Sequence, residues 1–298
     1  MKVVQMNLYD LPFKQIKEGS KTVEVRLNDE KRKSLEIGDF IEFKNIETKE
    51  TIKKEIENLK IYANFEELYD NYDNVLLGAR SFTKEDYVKS MQSIYSKEKE
   101  EKYQVLAIKL KCDDLAYRET LISRECPFEG TLLKLRSDKV KLPSGDIGTR
   151  EWIEHIGACA IVYVDDKDRI LLEKQFRYPL GFEALEIPAG KLDSPLEDHL
   201  ECAKREFEEE TGLISTDMKY LGEFAVSLAY STQIVYMFYT NTVKKGKVHF
   251  DEDEFLSTFF LSFDEALEMC NDGRIIDSKT IIAINLYNNL VRKNERNV

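Results

Sequence analysis

The chain has 298 residues, 42% of them hydrophobic and 34% charged, with a formal net charge of −12. That length suits two domains, each able to bury a core, and the composition describes a soluble globular protein. So negative a balance speaks against a general affinity for the nucleic acid backbone. In chain order, Val3 to Leu8 reads as a strand, Pro12 to Glu18 as a short helix ended by Gly19, and Thr22 to Leu27 as an alternating strand. Gly38-Asp39 turns into the strand Phe40 to Phe43. Phe65 to Tyr72 and Lys84 to Tyr95 are predicted helices, and Tyr103 to Lys111 a closing strand. Cys112-Asp113-Asp114 follows as the boundary, which gives predicted domains of residues 1–112 and 113–298. No low-complexity linker and no internal repeat separates them.

From about residue 118 a strand-rich segment starts. Thr131 to Arg136 and Val140 to Leu142 bracket a predicted hairpin, with Pro143-Ser144-Gly145 as a further turn. Trp152 to Val164 and Arg169 to Phe176 are predicted strands joined through Asp165-Asp166-Lys167-Asp168. Strands near Lys219 to Val226, Ile234 to Asn241 and Leu256 to Leu261 come next, then helices over Phe263 to Cys270 and Ser278 to Lys293. The longest apolar run, Ala158 to Val164, is too short to span a bilayer and reads as a buried strand. Met1 to Lys21 has no continuous apolar core, so no signal peptide is expected. Cys112, Cys126, Cys159, Cys202 and Cys270 are scattered, form no CxxC pair, and read as free thiols of a reducing, cytoplasmic setting. Residues 1–112 carry about 21 basic and about 21 acidic side chains, so the excess negative charge lies almost wholly in the later part.

That charge is densest between Gly190 and Leu213. Leu196, Leu200, Ala203 and Phe207 recur at helical spacing as one apolar stripe. Glu206, Glu209 and Glu210 fall at i, i+3 and i+4 and share a second face beside that stripe, at the edge of a core where a cleft forms. Arg205, four residues before Glu209, holds it in place, and Gly212 ends the helix. Pro188-Ala189-Gly190 in front reads as a turn out of a strand. Carboxylates packed that closely repel one another, and the pattern points to a multivalent cation held by Glu206, Glu209 and Glu210.

The same residues resemble the signature of the Nudix hydrolases: a Gly, five residues, Glu, seven residues, then Arg-Glu-apolar-any-Glu-Glu-any-Gly-apolar. Glu197 to Leu213 match throughout, while six residues rather than five separate Gly190 from Glu197. The departure touches the loop before the helix and leaves the metal face intact. The resemblance implies a pyrophosphohydrolase using Mg2+ or Mn2+, with Arg205 and Glu209 among its catalytic residues and a backbone carbonyl, here that of Ala189, as an added ligand. Such chemistry needs the charge of a phosphoanhydride neutralised and a water placed in line.

Around that box, Gly130 to Val140, Leu142 to Gly145, Thr149 to Glu151, His155 to Gly157, Gln175 to Tyr178, Glu186 to Gly190 and Asp277-Ser-Lys279-Thr280 look like the ADP-ribose pyrophosphatase branch, over about residues 118–290. The resemblance implies that Arg150, Glu151, Arg177 and Glu186 bind the nucleotide and its phosphates. It also implies that the acidic stretch Asp251 to Glu254 carries the general base, with Glu252 preferred over Glu254 because Glu254 abuts the next strand. Branch members usually show a Pro-Gly segment after the box. This chain has Val226 to Thr232 there, with Tyr230 either stacking on a base or sugar or lying in the core. Branch members are commonly homodimers, which makes a homodimer the expectation here.

The front segment is similar to ASCH domains, small PUA-like β-barrels tied to RNA or modified nucleosides. The likeness rests on Met6 to Leu8, Pro12-Phe13, Ile16 to Arg26, Ile37 to Phe43, Phe65 to Leu68 and Ile94 to Ser96. Glu24 and Arg26 alternate onto one strand face with Lys21 just before it, lining the cleft of such a barrel. One group of ASCH relatives cleaves acylated cytidine with a Lys and, three residues on, a Thr. Lys21 fits, but Glu24 stands at the Thr position, so that chemistry is not expected. The even charge predicts weak RNA binding at physiological salt.

The fold expected is therefore α+β in two domains: an ASCH-like barrel, then a Nudix α/β/α sandwich with a mixed sheet. The expected activity is Mg2+-dependent hydrolysis of a nucleoside diphosphate compound, foremost ADP-ribose to AMP and ribose 5-phosphate, with no membrane partner. The alternatives are another NDP-sugar or an RNA-end nucleotide as substrate, or a nucleotide-sensing, RNA-binding regulator.

Overall fold

The computed structural model describes residues 1–80, 82–111, 118–247 and 255–295. The chain divides into one unit of Met1–Glu125 with Asp138–Arg150 and a second of Cys126–Ser137 with Glu151–Val298.

The first unit starts with β1 (Val3–Leu8), α1 (Asp10–Glu18), β2 (Val23–Leu27) and β3 (Phe40–Asn45). Phe13 and Ile16 of α1 are buried, and Gly19 ends the helix at φ 79°, a left-handed cap that suits glycine. β4 (Thr51–Tyr62), α2 (Phe65–Asp70), α3 (Lys84–Ile94), α4 (Lys97–Tyr103) and β5 (Val105–Leu110) follow. The five strands lie in the order β1-β3-β4-β5-β2, with β1 and β3 parallel and the other pairs antiparallel. β4 pairs with β3 over its first half and with β5 over its second, and a bulge between Ile56 and Asn58 bends it where the partner changes. That bend curls the sheet into a half-barrel, where the resemblance implied a small barrel.

The sequence pattern alone missed β4. Ile52 and Ile56 face the core before the bulge and Leu59 faces it after, so the inward phase switches from even to odd positions within one strand. α4, a run of charged residues with only Glu100 buried, gave no apolar period to read.

Three strands come next, β6 (Thr120–Glu129), β7 (Lys134–Lys141) and β8 (Ile147–Glu154), ordered β6-β7-β8. The expected hairpin between Arg136 and Val140 is absent, because β7 runs straight through it. The chain turns only at the further turn expected at Pro143-Ser144-Gly145, between Leu142 and Asp146, where Gly145 takes φ 94°. The expected strand Trp152 to Val164 is two, broken at Gly157, which takes φ 116°.

The second unit continues with β9 (Ala158–Tyr163), β10 (Arg169–Arg177), β11 (Phe182–Glu186), β12 (Ala189–Lys191), α5 (His199–Thr211), β13 (Leu213–Ser215), β14 (Lys219–Ala225), β15 (Ile234–Thr240), β16 (Val243–Lys245) and β17 (Leu256–Ser262). It ends with α6 (Phe263–Asp272), α7 (Ser278–Tyr287), a π-helical turn (Asn288–Arg292) and α8 (Lys293–Glu295). A mixed sheet β12-β9-β15-β14, in which β9 and β15 are parallel, lies with an antiparallel sheet β11-β10-β17. β9 is buried on both faces. Cys159 and Ile161 pack with Cys202, Ala203 and Phe207 of α5, and Ala160 and Val162 pack with β10, α6 and α7. Helices on both sides of the sheets make the α/β/α sandwich. Pro188-Ala189-Gly190 is not a free turn, since Ala189–Lys191 pairs with β9. Leu196 lies outside α5 and is exposed, so the helix's apolar face is Cys202, Ala203 and Phe207 with Leu200 at its edge. Among the described residues no helix is long and apolar enough to cross a membrane.

Candidate active site

Asp198 caps α5, accepting from the Leu200 and Glu201 amides at 2.9 and 3.1 Å. Gly212 closes the helix at φ 67°. Glu208, Glu209 and Glu210 crowd its last turn, and that turn holds no basic residue. Negative charge there opposes the helix dipole, so the helix carries these groups at a cost to its own stability.

The surroundings supply what the helix does not. Arg205 donates through Nη1 to Glu206 at 2.8 Å and to Glu209 at 3.1 Å, and through Nη2 to Glu197 at 3.2 Å. Burial works against the Arg205 charge, but Glu206, Glu197 and Asp193 more than offset that and hold its pKa above the ordinary arginine range. Glu210 is buried and accepts from the Ala189 amide at 2.9 Å. A Cβ built on Gly190 would stand 1.9 Å from the Glu206 carboxylate, so only glycine admits that side chain over the strand. The structure thus gathers Ala189, Gly190, Arg205, Glu206, Glu209 and Glu210 along one helix face and one strand edge.

These are oxygen donors of the kind hard divalent cations prefer. Glu206, with the strand backbone directly beneath it, and Glu209 lie within reach of one another through Arg205, so the residues fit Mg2+ or Mn2+ by chemistry. Among the described residues no three acidic, histidine or cysteine side chains lie together closely enough to hold a metal ion.

A second charged group flanks this face. Arg177, at the end of β10, donates through Nε and Nη2 to the two Glu186 oxygens at 2.6 and 2.7 Å. Lys279, in the first turn of α7, also donates to Glu186 and lies 3.1 Å from Asp277. Glu186 is 4% exposed. Burial raises its pKa, yet the Arg177 hydrogen bond and the Lys279 charge prevail and bring it down to about 2. The Arg177 pKa is raised, first by its hydrogen bond to Glu186, with the fields of Asp277 and Glu210 adding. Lys279 falls within the motif Asp277-Ser-Lys279-Thr280, but the motif assigned it no role. Its signal was Asp277, whose side chain caps the last long helix and places Lys279 in that helix's first turn.

The other sites expected from sequence are dispersed. Arg150 lies in the first unit, forked onto Glu119, and Glu151 is exposed on β8. Tyr230 is exposed rather than in the core, and its carbonyl accepts from the Ile153 amide at 2.8 Å. Glu252 and Glu254 lie outside the described residues. In the first unit Lys21, Glu24 and Arg26 do come together. Lys21 Nζ donates to the Val23 and Leu77 carbonyls at 3.0 and 2.7 Å and lies 3.5 Å from Glu24, which lies 2.9 Å from Arg26. Burial lowers the Lys21 pKa against the pull of Glu24.

Comparison with known proteins finds a domain family for each part of the chain. A model of the NUDIX domain matches residues 154–282, and a model of the ASCH domain matches residues 6–112. The chain is 38% identical over 170 residues, 56% of its length and 91% of the relative's, to the methanol dehydrogenase activator of Bacillus methanolicus. It is 36% identical over 168 residues, 56% of its length and 90% of the relative's, to an ADP-ribose pyrophosphatase of Bacillus subtilis (strain 168). It is 35% identical over 137 residues, 43% of its length and 71% of the relative's, to a GDP-mannose pyrophosphatase of Yersinia enterocolitica. The solved structure of an ADP compounds hydrolase superposes with a TM-score of 0.54 at 18% identity, covering 60% of this chain and 97% of that one, a likeness of fold. Fold and site define a hydrolase of phosphoanhydrides built on a glutamate helix. The chain belongs to the Nudix hydrolase family, carries an ASCH domain ahead of the Nudix domain, and is a pyrophosphohydrolase.

Proposed function

We propose that this enzyme hydrolyses ADP-ribose to AMP and ribose 5-phosphate with Mg2+, or Mn2+ in its place. The observation that carries the reading is the glutamate face of α5, which is braced by Arg205 and lies against the side-chain-free edge at Gly190. Glu206, Glu209 and Glu210, with the Ala189 carbonyl, are the residues that would hold the cation. When bound, the cation supplies positive charge against the diphosphate and acidifies a water. Arg205 Nη1 bridges Glu206 and Glu209 and holds them side by side. Arg177, anchored on Glu186 by one edge of its guanidinium, offers the other edge to a diphosphate oxygen. Arg150, Glu151 and Tyr230 would complete the nucleotide contacts. Water oxygen bonds to phosphorus as the anhydride P–O bond breaks, and the water proton passes to Glu252 or, failing that, Glu254.

Domains of residues 1–112 and 113–298, a homodimer through the Nudix domain, and a nucleoside or RNA ligand at Lys21, Glu24 and Arg26 belong to the same proposal. The relative named for GDP-mannose favours a second reading, in which another nucleoside diphosphate sugar is the substrate. The test is AMP and sugar phosphate release by full-length protein across a panel of ADP-ribose, GDP-mannose and other such sugars. ADP-ribose should be cleaved fastest with Mg2+ and not at all with excess chelator. Turnover that is indifferent to chelator would defeat the reading. Glu252→Gln should lower kcat about a hundredfold and Glu254→Gln much less.

A further inference from the structure

We infer that Lys279 is a positioning residue for hydrolysis: acting through Glu186, it fixes the orientation in which Arg177 meets the diphosphate of the substrate. The inference rests on the reading of Arg177 as a phosphate-binding residue.

Lys279 stands where helix stability would not put it. A cation in a first helical turn meets the positive end of the helix dipole. Its side chain is also largely buried, with 17% exposed. The cap of α7 is complete without it. Asp277 accepts from the Thr280 amide at 3.0 Å and from the Thr280 hydroxyl at 2.6 Å. The Thr280 hydroxyl in turn accepts from the Ile187 amide at 2.9 Å, docking the start of α7 on the end of β11. Thr280 and Asp277 therefore account for the docking, to which Lys279 adds only its ion pair with Asp277 at 3.1 Å.

What Lys279 reaches is the oxygen Oε2 of Glu186, the one that also accepts from Arg177 Nη2. With Arg177 Nε on Oε1, the carboxylate has three charge-assisted bonds on two oxygens, and its plane is fixed. A fork bound to a fixed carboxylate is itself fixed. Arg177 is 42% exposed and uses only one edge on Glu186, so its remaining N–H groups point along a defined direction. Without Lys279, Glu186 keeps a single cation. The buried carboxylate is then free to turn toward the gap, and Arg177 turns with it. Orientation lost this way weakens substrate and transition state alike, which raises KM and spares kcat.

The experiment uses full-length protein and the sugar of the panel that wild type cleaves fastest, with kcat, KM and melting temperature measured for each variant. Lys279→Met should raise KM about tenfold with kcat within about threefold. Lys279→Arg, which keeps a donor to Glu186, should restore most of the loss. Lys279→Met added to Arg177→Met should do no further harm, because both act on one contact. Thr280→Val marks a merely structural role, lowering the melting temperature without singling out KM. If Lys279→Met folds poorly, Lys279→Gln takes its place. An unchanged KM, a loss that adds to that of Arg177→Met, or a drop in melting temperature alone would overturn the inference. A wild type that cleaves another sugar but not ADP-ribose overturns only the substrate reading, and one that cleaves none overturns both.

Discussion

Both units of this protein gather charge around an arginine, and they do it with opposite stoichiometry. In the first, Lys21 and Arg26 share one carboxylate, Glu24, and Lys21 is capped by two carbonyls. That group has a cation to spare, and Lys21 and Glu24 are closed from solvent. In the second, Arg205 pairs with Glu197, Glu206 and Glu209 together, and Glu209 is 39% exposed. That group is short of positive charge and open at one side. A shortage on an open face calls for a cation from solution. A surplus in a closed one calls for nothing, and serves the fold or an anionic guest.

The largest effect should come from breaking the open cluster. Glu209→Gln keeps the shape and the Arg205 contact but removes a charge, and kcat should fall on the order of a thousandfold. The melting temperature without added metal should hold or rise, since one repelling carboxylate is gone from a helix C-terminus. Activity within tenfold of wild type would show that this face is a solvated surface. A melting temperature that collapses would show that the glutamate serves the fold.

The closed cluster should answer in the other currency. Lys21→Met leaves Glu24 buried with a single partner, and unfolding of the first unit in denaturant should become easier by about 3 kcal/mol. Hydrolysis by the native protein should stay within twofold. A large loss of hydrolysis at full stability would mean the two clusters are not the separate devices their stoichiometry suggests.

How legible each cluster was follows from how local its signal is. The α5 face is written within 24 residues, because helical spacing alone brings Glu206, Glu209, Glu210 and Arg205 together. Glu24 and Arg26 are equally local, two apart on one strand. Lys279 and Glu186 lie 93 residues apart, and only the docking of α7 on β11 joins them. The fold divides the same way. Strands that keep one phase, such as β1 and β3, could be read directly. β4 could not, since its bulge inverts the phase, and β7 looked like two strands, although the turn after it at Pro143-Ser144-Gly145 was legible. Arg150 and Glu151 came from motif likeness and Tyr230 from a segment that departs from it, and nothing in their spacing says what they meet.

The smallest effect is a pH dependence at the non-local pair. Glu186 has its pKa held near 2, below the ordinary value of 4.5, so the folded state binds fewer protons there than the unfolded chain. The stability this contributes is complete above pH 4.5 and is lost as pH falls toward 2. With half-exposed Arg177 screened by solvent, the contribution is about 2 kcal/mol. Chemical denaturation of wild type and Glu186→Gln should therefore differ by about that much at neutral pH, with the gap closing between pH 4.5 and 2. A gap that stays constant across the acid range would mean that the carboxylate's charge does not hold the pair. Arg177 would then be kept by shape alone, in contrast to both charge clusters.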